Sequence, residues 1–223
     1  MRVDWHGQSA FTLDGEAATV FIDPWGDMSG AAAKGITWDY PPIEAPAAVD
    51  LLIVTHEHVD HNAVGVIDGE PTLVRSQAGT HPGPIGDVVA IASEHDDAAG
   101  TERGPNTIVV FDLDGIRVAH FGDFGQAALR PEQRTHLKGI DLLFLPVGGG
   151  FTIDGATAAR IALDLGASWV VPMHYKTPRI SFLETEESFV DAMPKVLRLD
   201  STSFDTANLE KGSEPLVIVP AAP

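Results

Sequence analysis

Residues 53–62 read Ile53-Val54-Thr55-His56-Glu57-His58-Val59-Asp60-His61-Asn62, and this stretch decides the fold. The apolar run from Asp50 to Thr55 has the length and branched content of a buried strand. His56, His58, Asp60 and His61, all with metal-ligating side chains, follow it directly. Alternate residues of an extended chain point the same way, so His56, His58 and Asp60 converge. His61 sits on a backbone that has begun to turn, and an extended run cannot aim His58 and His61 at one point. Two ions therefore suit the cluster better than one. The helical His-Glu-x-x-His zinc motif is excluded on spacing, because the fourth residue after His56 is Asp60.

Outward from this stretch, strand-like runs dominate the first half: Ser9 to Leu13, Ala18 to Asp23, Thr72 to Arg75, Val88 to Ser93, Thr107 to Leu113 and Gly115 to His120. The opening Met1-Arg2-Val3-Asp4-Trp5-His6 also reads as the start of a strand. Later strands at Asp141 to Pro146, Trp169 to Pro172 and Leu216 to Val219 are separated by helical patterns at Asp154 to Leu165 and Glu184 to Met193. Asp154 is placed to cap the first of these helices and Gly166 to end it. The mixture predicts an α/β chain, and residues 1–223 are read as a single domain. Pro24 to Ala48 has no periodicity and reads as a long loop, of the kind that serves as a lid.

Composition narrows the chemistry. With 14 basic against 32 acidic side chains the formal net charge is -18, which repels nucleic acid and leaves no basic tract for phosphates. There is no cysteine, so disulfides, thiolate ligands and a thiol nucleophile are excluded, and a metal must be held by His and carboxylate. No segment is apolar for long enough to span a bilayer. The expectation is a cytoplasmic protein with a small-molecule substrate and no nucleic-acid or membrane partner.

The run His56, His58, Asp60, His61 resembles the His-x-His-x-Asp-His signature of the metallo-β-lactamase superfamily. The remaining ligand positions of that family are matched in Ser93-Glu94-His95, His120-Phe121-Gly122-Asp123 and Pro172-Met173-His174-Tyr175. Further likeness lies in Trp5-His6-Gly7-Gln8-Ser9-Ala10-Phe11, Ile22-Asp23-Pro24, Gly148-Gly149-Gly150-Phe151-Thr152 and Pro172-Met173-His174-Tyr175-Lys176-Thr177. These motifs resemble the branch of metal-dependent hydrolases that includes L-ascorbate-6-phosphate lactonase, and not the antibiotic-hydrolysing branch. Many members of that branch carry His where Gln8 stands.

The resemblance implies a four-layer αβ/βα sandwich and two divalent ions, zinc first, with manganese or iron as alternatives. It places His56, His58 and His95 on one ion, Asp60, His61 and His174 on the other, and Asp123 between them. Two such ions share a hydroxide, because coordination brings the pKa of water toward neutrality. Asp60 is then the catalytic carboxylate, orienting that water or taking its proton. Hydrolysis of a small ester, lactone, amide or phosphodiester is expected; the alternative is a metal-binding, redox or sensor protein without turnover. Asp23 is expected to tie the metal loop to its strand, His6 to line the site, Gln8 to support the ligands or meet the substrate, and Lys176, with Arg179, to bind a substrate anion. His120 reads as a core histidine, and His81 and His136 as surface residues. The resemblance also allows a homo-oligomer.

Overall fold

A computed structural model describes residues 1–223, whose strands form two mixed sheets. The first part of the chain supplies β1 (Arg2–Trp5), β2 (Phe11–Asp14), β3 (Thr19–Ile22), β4 (Leu51–Val54) and β5 (Thr72–Arg75). The middle supplies β6 (Gly79–Gly83), β7 (Gly86–Glu94), β8 (Pro105–Leu113), β9 (Ile116–His120), helix α1 (Pro131–His136), β10 (Leu142–Pro146), α2 (Gly155–Leu165) and β11 (Trp169–Met173). The last part supplies α3 (Glu187–Val190), β12 (Lys195–Arg198), β13 (Ser203–Asp205) and β14 (Leu216–Val219). One sheet has the order β13-β1-β2-β3-β4-β5, the other β12-β14-β11-β10-β9-β8-β7-β6. Pairing is parallel along β3-β4-β5 and from β9 through β12, and antiparallel elsewhere.

Strands β3 and β4 show why the sheets stack. Val20, Ile22, Leu51 and Ile53 belong to the main core of 45 buried residues, which takes side chains from both sheets. Phe21 and Leu52, between them in sequence, belong to a second cluster on the opposite face. Both faces are covered, so β3 and β4 read as continuous apolar runs without alternation. The outer cover of the eight-stranded sheet is helical: α2 lies against β10 and α3, and α1 against β7. The outer cover of the six-stranded sheet is irregular chain carrying Trp25, Tyr40, Val49, Ile67 and Ile180, with short 3-10 helices at Ser29–Lys34 and Val64–Val66.

Helix α2 has the ends its sequence predicts: Asp154 Oδ1 accepts from Thr157 N at 2.8 Å, and Gly166 adopts φ +64°. The second predicted helix is shorter than the 184–193 pattern. Glu184 N–H donates to the Gly148 carbonyl while its own carbonyl accepts from Lys176 N–H, which holds it extended beside the site loops. Four elements escaped the sequence reading. β6 contains Gly and Pro, β13 is only three residues, α1 barely exceeds one turn, and every residue of β12 is exposed, so no periodicity develops. No helix is long and apolar enough to cross a membrane.

Candidate metal centre

Every predicted ligand stands just beyond the carboxyl end of a strand: His56 to His61 after β4, His95 after β7, Asp123 after β9 and His174 after β11. They meet where the two sheets abut. His56, His58 and His95 form one group, Asp60, His61 and His174 another, and His56, His61 and Asp123 link them, with ligand atoms in each group within 4.8 Å of one another. Asp123 Oδ2 is the hub. It lies 3.0 Å from His95 Nε2, 3.3 Å from His61 Nε2 and from His174 Nε2, and 3.9 Å from His56 Nε2.

Hydrogen bonds behind the cluster set which atoms face it. Asp23, fully buried at φ +51°, accepts from Thr55 N at 2.8 Å, Thr55 Oγ1 at 2.7 Å and His61 Nδ1 at 2.9 Å. Because Thr55 Oγ1 spends its proton on Asp23, it accepts from His56 Nδ1 at 3.1 Å. In its neutral form each imidazole thus carries its proton on Nδ1 and presents a bare Nε2 to Asp123. His56 Nε2 and His61 Nε2 are buried without any hydrogen-bond partner. Buried polar atoms are normally satisfied, so two bare ring nitrogens left facing a carboxylate fit cation binding in this cluster.

Asp123 is positioned in the same way. Ser9 Oγ–H donates to its Oδ1 at 3.3 Å, and Asn106 Oδ1 accepts its backbone N–H at 3.1 Å, leaving Oδ2 free. Asn106 also donates to Ser93 Oγ and to the Phe121 carbonyl, both at 2.8 Å. Gly122, at φ +53°, lets this loop press against Asn106 and Thr55: a Cβ there would stand 2.6 Å from Thr55 Oγ1. His120 Nδ1 accepts from Gly122 N–H and its Nε2–H donates to the Ser9 carbonyl, so it is a core histidine and no ligand.

Burial disfavours the charged form of His56, His58 and His174 and holds all three below the ordinary imidazole value. Burial pulls His61 and His95 the same way, but the Asp123 carboxylate beside them outweighs it and raises both. Burial would raise Asp123, yet His174 and His61 hold it well below the usual carboxylate range. Neutral imidazole with ionised carboxylate is the metal-binding state, so an ion displaces the protons that His61 and His95 retain.

Residues 2–174 match the family model described as a beta-lactamase superfamily domain. A UPF0173 metal-dependent hydrolase from Korarchaeum cryptofilum is 32% identical over 79% of this chain and 84% of its own. The chain belongs to the UPF0173 metal-dependent hydrolase family of the metallo-β-lactamase superfamily. A further relative, from Nitratidesulfovibrio vulgaris, is 28% identical and is covered over 97% of its length by 96% of this chain. In three dimensions the chain matches a superfamily member from Thermotoga maritima, described as a candidate zinc-dependent hydrolase, with TM-score 0.76 and 25% identity over 99% of both chains. The two mixed sheets with few helices are the metallo-β-lactamase fold.

In this UPF0173 chain the cluster floors a cavity of about 440 Å³ whose walls include Met28, Lys34, Trp38, Arg103, Phe151 and Phe182. The loop at 24–48 is thus one wall of the site. It is tied down within its second half, where Asp39 N–H donates to the Arg179 carbonyl and Thr37 N–H to Ser181 Oγ.

Two sequence expectations are corrected here. His6 does not line the metal cavity: it stacks on Phe21 at 5.1 Å, bonds Thr12 Oγ1 at 2.8 Å and borders a separate cavity beside Pro41 and Pro42. Lys176 is exposed and lies outside the metal cavity, because the turn after His174 aims it to solvent. Its companion Arg179 is occupied by Asp39 and the Pro223 carbonyl.

Gln8, at φ +50°, stands behind the site: its Nε2 donates to Tyr40 Oη at 2.9 Å and to the Tyr175 carbonyl at 3.3 Å. Sequence reading missed Ser9, Asn106 and Arg103. Asn106 alone carried a signal, as a polar residue heading an apolar run.

Proposed function

We propose that this chain is a hydrolase that binds two divalent ions, zinc first, and cleaves a small ester, lactone, amide or phosphodiester. One observation carries the reading: a single carboxylate oxygen, Asp123 Oδ2, faces four buried imidazole nitrogens at 3.0 to 3.9 Å, two of them without any other partner. His56, His58 and His95 would hold one ion, and Asp60, His61 and His174 the other, with Asp123 between. Bound there, divalent ions supply Lewis acidity and bring the pKa of water toward neutrality.

The chain's own groups do the rest. Asp60, with its side chain 19% exposed, is the carboxylate of the cluster most open to the cavity, and Oδ2 lies 3.8 Å from His61 Nε2. It orients the attacking water and receives its proton. Asp23, Thr55, Ser9 and Asn106 keep the imidazoles and Asp123 from rearranging as charge develops. The likeness of the N-terminal and Pro172-to-Thr177 motifs to the ascorbate-6-phosphate lactonase branch keeps lactones on the panel of substrates.

The test is elemental analysis of protein purified without chelator, wild type against Asp123→Ala, followed by a panel of esters, lactones, amides and phosphodiesters. Two ions per chain falling to one or none in the variant, with turnover abolished by chelation and by Asp60→Ala, is the expected result. A wild type that holds no ion after reconstitution would end the proposal. A fully loaded protein inert across the panel would favour a binding or sensor role.

A further inference from the structure

We infer that Arg103 makes the metal cavity selective for substrates carrying an anionic group, carboxylate or phosphate, set apart from the bond to be cleaved and joined to an apolar body. The inference rests on the hydrolase reading above and names its substrate class.

Arg103 is unusual in its surroundings. Most of the 14 basic side chains in this acidic molecule are paired with carboxylates, as in Arg2–Asp4, Arg75–Glu57, Arg130–Glu94 and Arg198–Glu187. Arg103 lines the metal cavity, yet no carboxylate lies within 4.0 Å of it. Its guanidinium carbon instead sits 3.7 Å from the centroid of the Phe151 ring. Stacking occupies one face of the planar group and leaves the N–H edge to meet an acceptor, the geometry that suits a carboxylate or phosphate.

The backbone beneath Arg103 is held in place. Asp96, immediately after the ligand His95, accepts four backbone N–H groups: Ala98 at 2.9 Å, Gly100 at 2.7 Å, Glu102 at 3.1 Å and Arg103 at 2.8 Å. The loop between ligand and cation is therefore wound around one carboxylate, which fixes the reach of Arg103 relative to His95. A cation prepositioned in this way loses less conformational freedom when it binds.

The rest of the wall fits the same class. Lys34 is a second cation without a carboxylate partner, and the indole N–H of Trp38 is buried without an acceptor. Asp27, the one wall carboxylate outside the ligand set, accepts from Ser29 N–H. Between these groups Met28, Ile36, Trp38, Phe151 and Phe182 present apolar surface, with Phe151 edge-on to Phe182 at 5.1 Å. Apart from Asp27 and the candidate metal ligands, the wall side chains offer donors and hydrophobic contact.

The probes are 4-phenylbutyrate and its neutral amide, titrated calorimetrically into the zinc-loaded chain, wild type and Arg103→Gln. Any direct contact of the carboxylate with the ions is common to both proteins, so the comparison isolates the arginine. The expected result is an about tenfold weaker binding of the carboxylate to the variant with the amide changed less than about twofold, and partial recovery in Arg103→Lys. Equal loss for both probes, no loss, or a wild type that does not prefer the carboxylate would overturn the inference. In parallel, 4-nitrophenyl hemiglutarate and 4-nitrophenyl valerate are assayed, and Arg103→Gln is expected to raise KM for the hemiglutarate alone at unchanged kcat. If no ester is turned over while the binding preference persists, the hydrolase reading fails for esters and the anion selectivity stands.

Discussion

Replacing Asp23 by Asn tests how much of the metal site is built by residues that never touch an ion. The change keeps shape and volume but removes a charge and one acceptor from a fully buried group that receives three hydrogen bonds. An Asn that retains its carbonyl toward Thr55 N–H turns its amide NH₂ toward Thr55 Oγ1 and His61 Nδ1. The His61 proton then meets a donor, so the ring must rotate or move its proton to Nε2, the atom beside Asp123. Losing one bond to a charged, buried acceptor costs about 1.5–3 kcal/mol. Through the orientation of His61, that becomes a roughly 10–100-fold loss of affinity at the ion site using Asp60, His61 and His174. Zinc competition against a chromophoric chelator reads both sites, and thermal melting of the metal-free protein reports any general loosening. A weaker site within about twofold of wild type, or equal weakening of both sites, would refute the reasoning.

Two further predictions follow from the same geometry. Gly122→Ala forces a Cβ against Asn106 and Thr55 at a positive φ, so it should cost about 2–4 kcal/mol and lower Tm by roughly 5–15 °C, whereas a Tm within about 2 °C of wild type would show that the loop simply shifts. The Arg75 guanidinium, helped by Ser76 and Asn62, pulls Glu57 from an ordinary 4.5 down to about 2 in the folded chain. Its stabilising contribution is therefore complete above about pH 4.5 and lost as the pH falls through about 2. The Tm of Glu57→Gln should trail wild type near neutrality and converge with it in acid; a gap that does not narrow over that range would contradict the assignment.

Much of this protein was legible in its sequence because the relevant signals are local. The apolar run of β4 followed by His56, His58, Asp60 and His61 marks a strand that ends in a ligand loop, since strand periodicity dictates where consecutive side chains point. Asp154 and Gly166 announce both ends of α2 through hydrogen bonding and backbone conformation confined to a few residues. Tertiary structure alone decided that Asp123 Oδ2 is the meeting point of four imidazoles drawn from both sheets. It also decided that Ser9 and Asn106, far apart in the chain, hold that carboxylate, and that the cations lining the cavity are Arg103 and Lys34 and not Lys176. These outcomes depend on how two sheets stack and where their loops land. That stacking is set by burial of side chains contributed from the whole chain, which is non-directional and leaves no pattern in any short window.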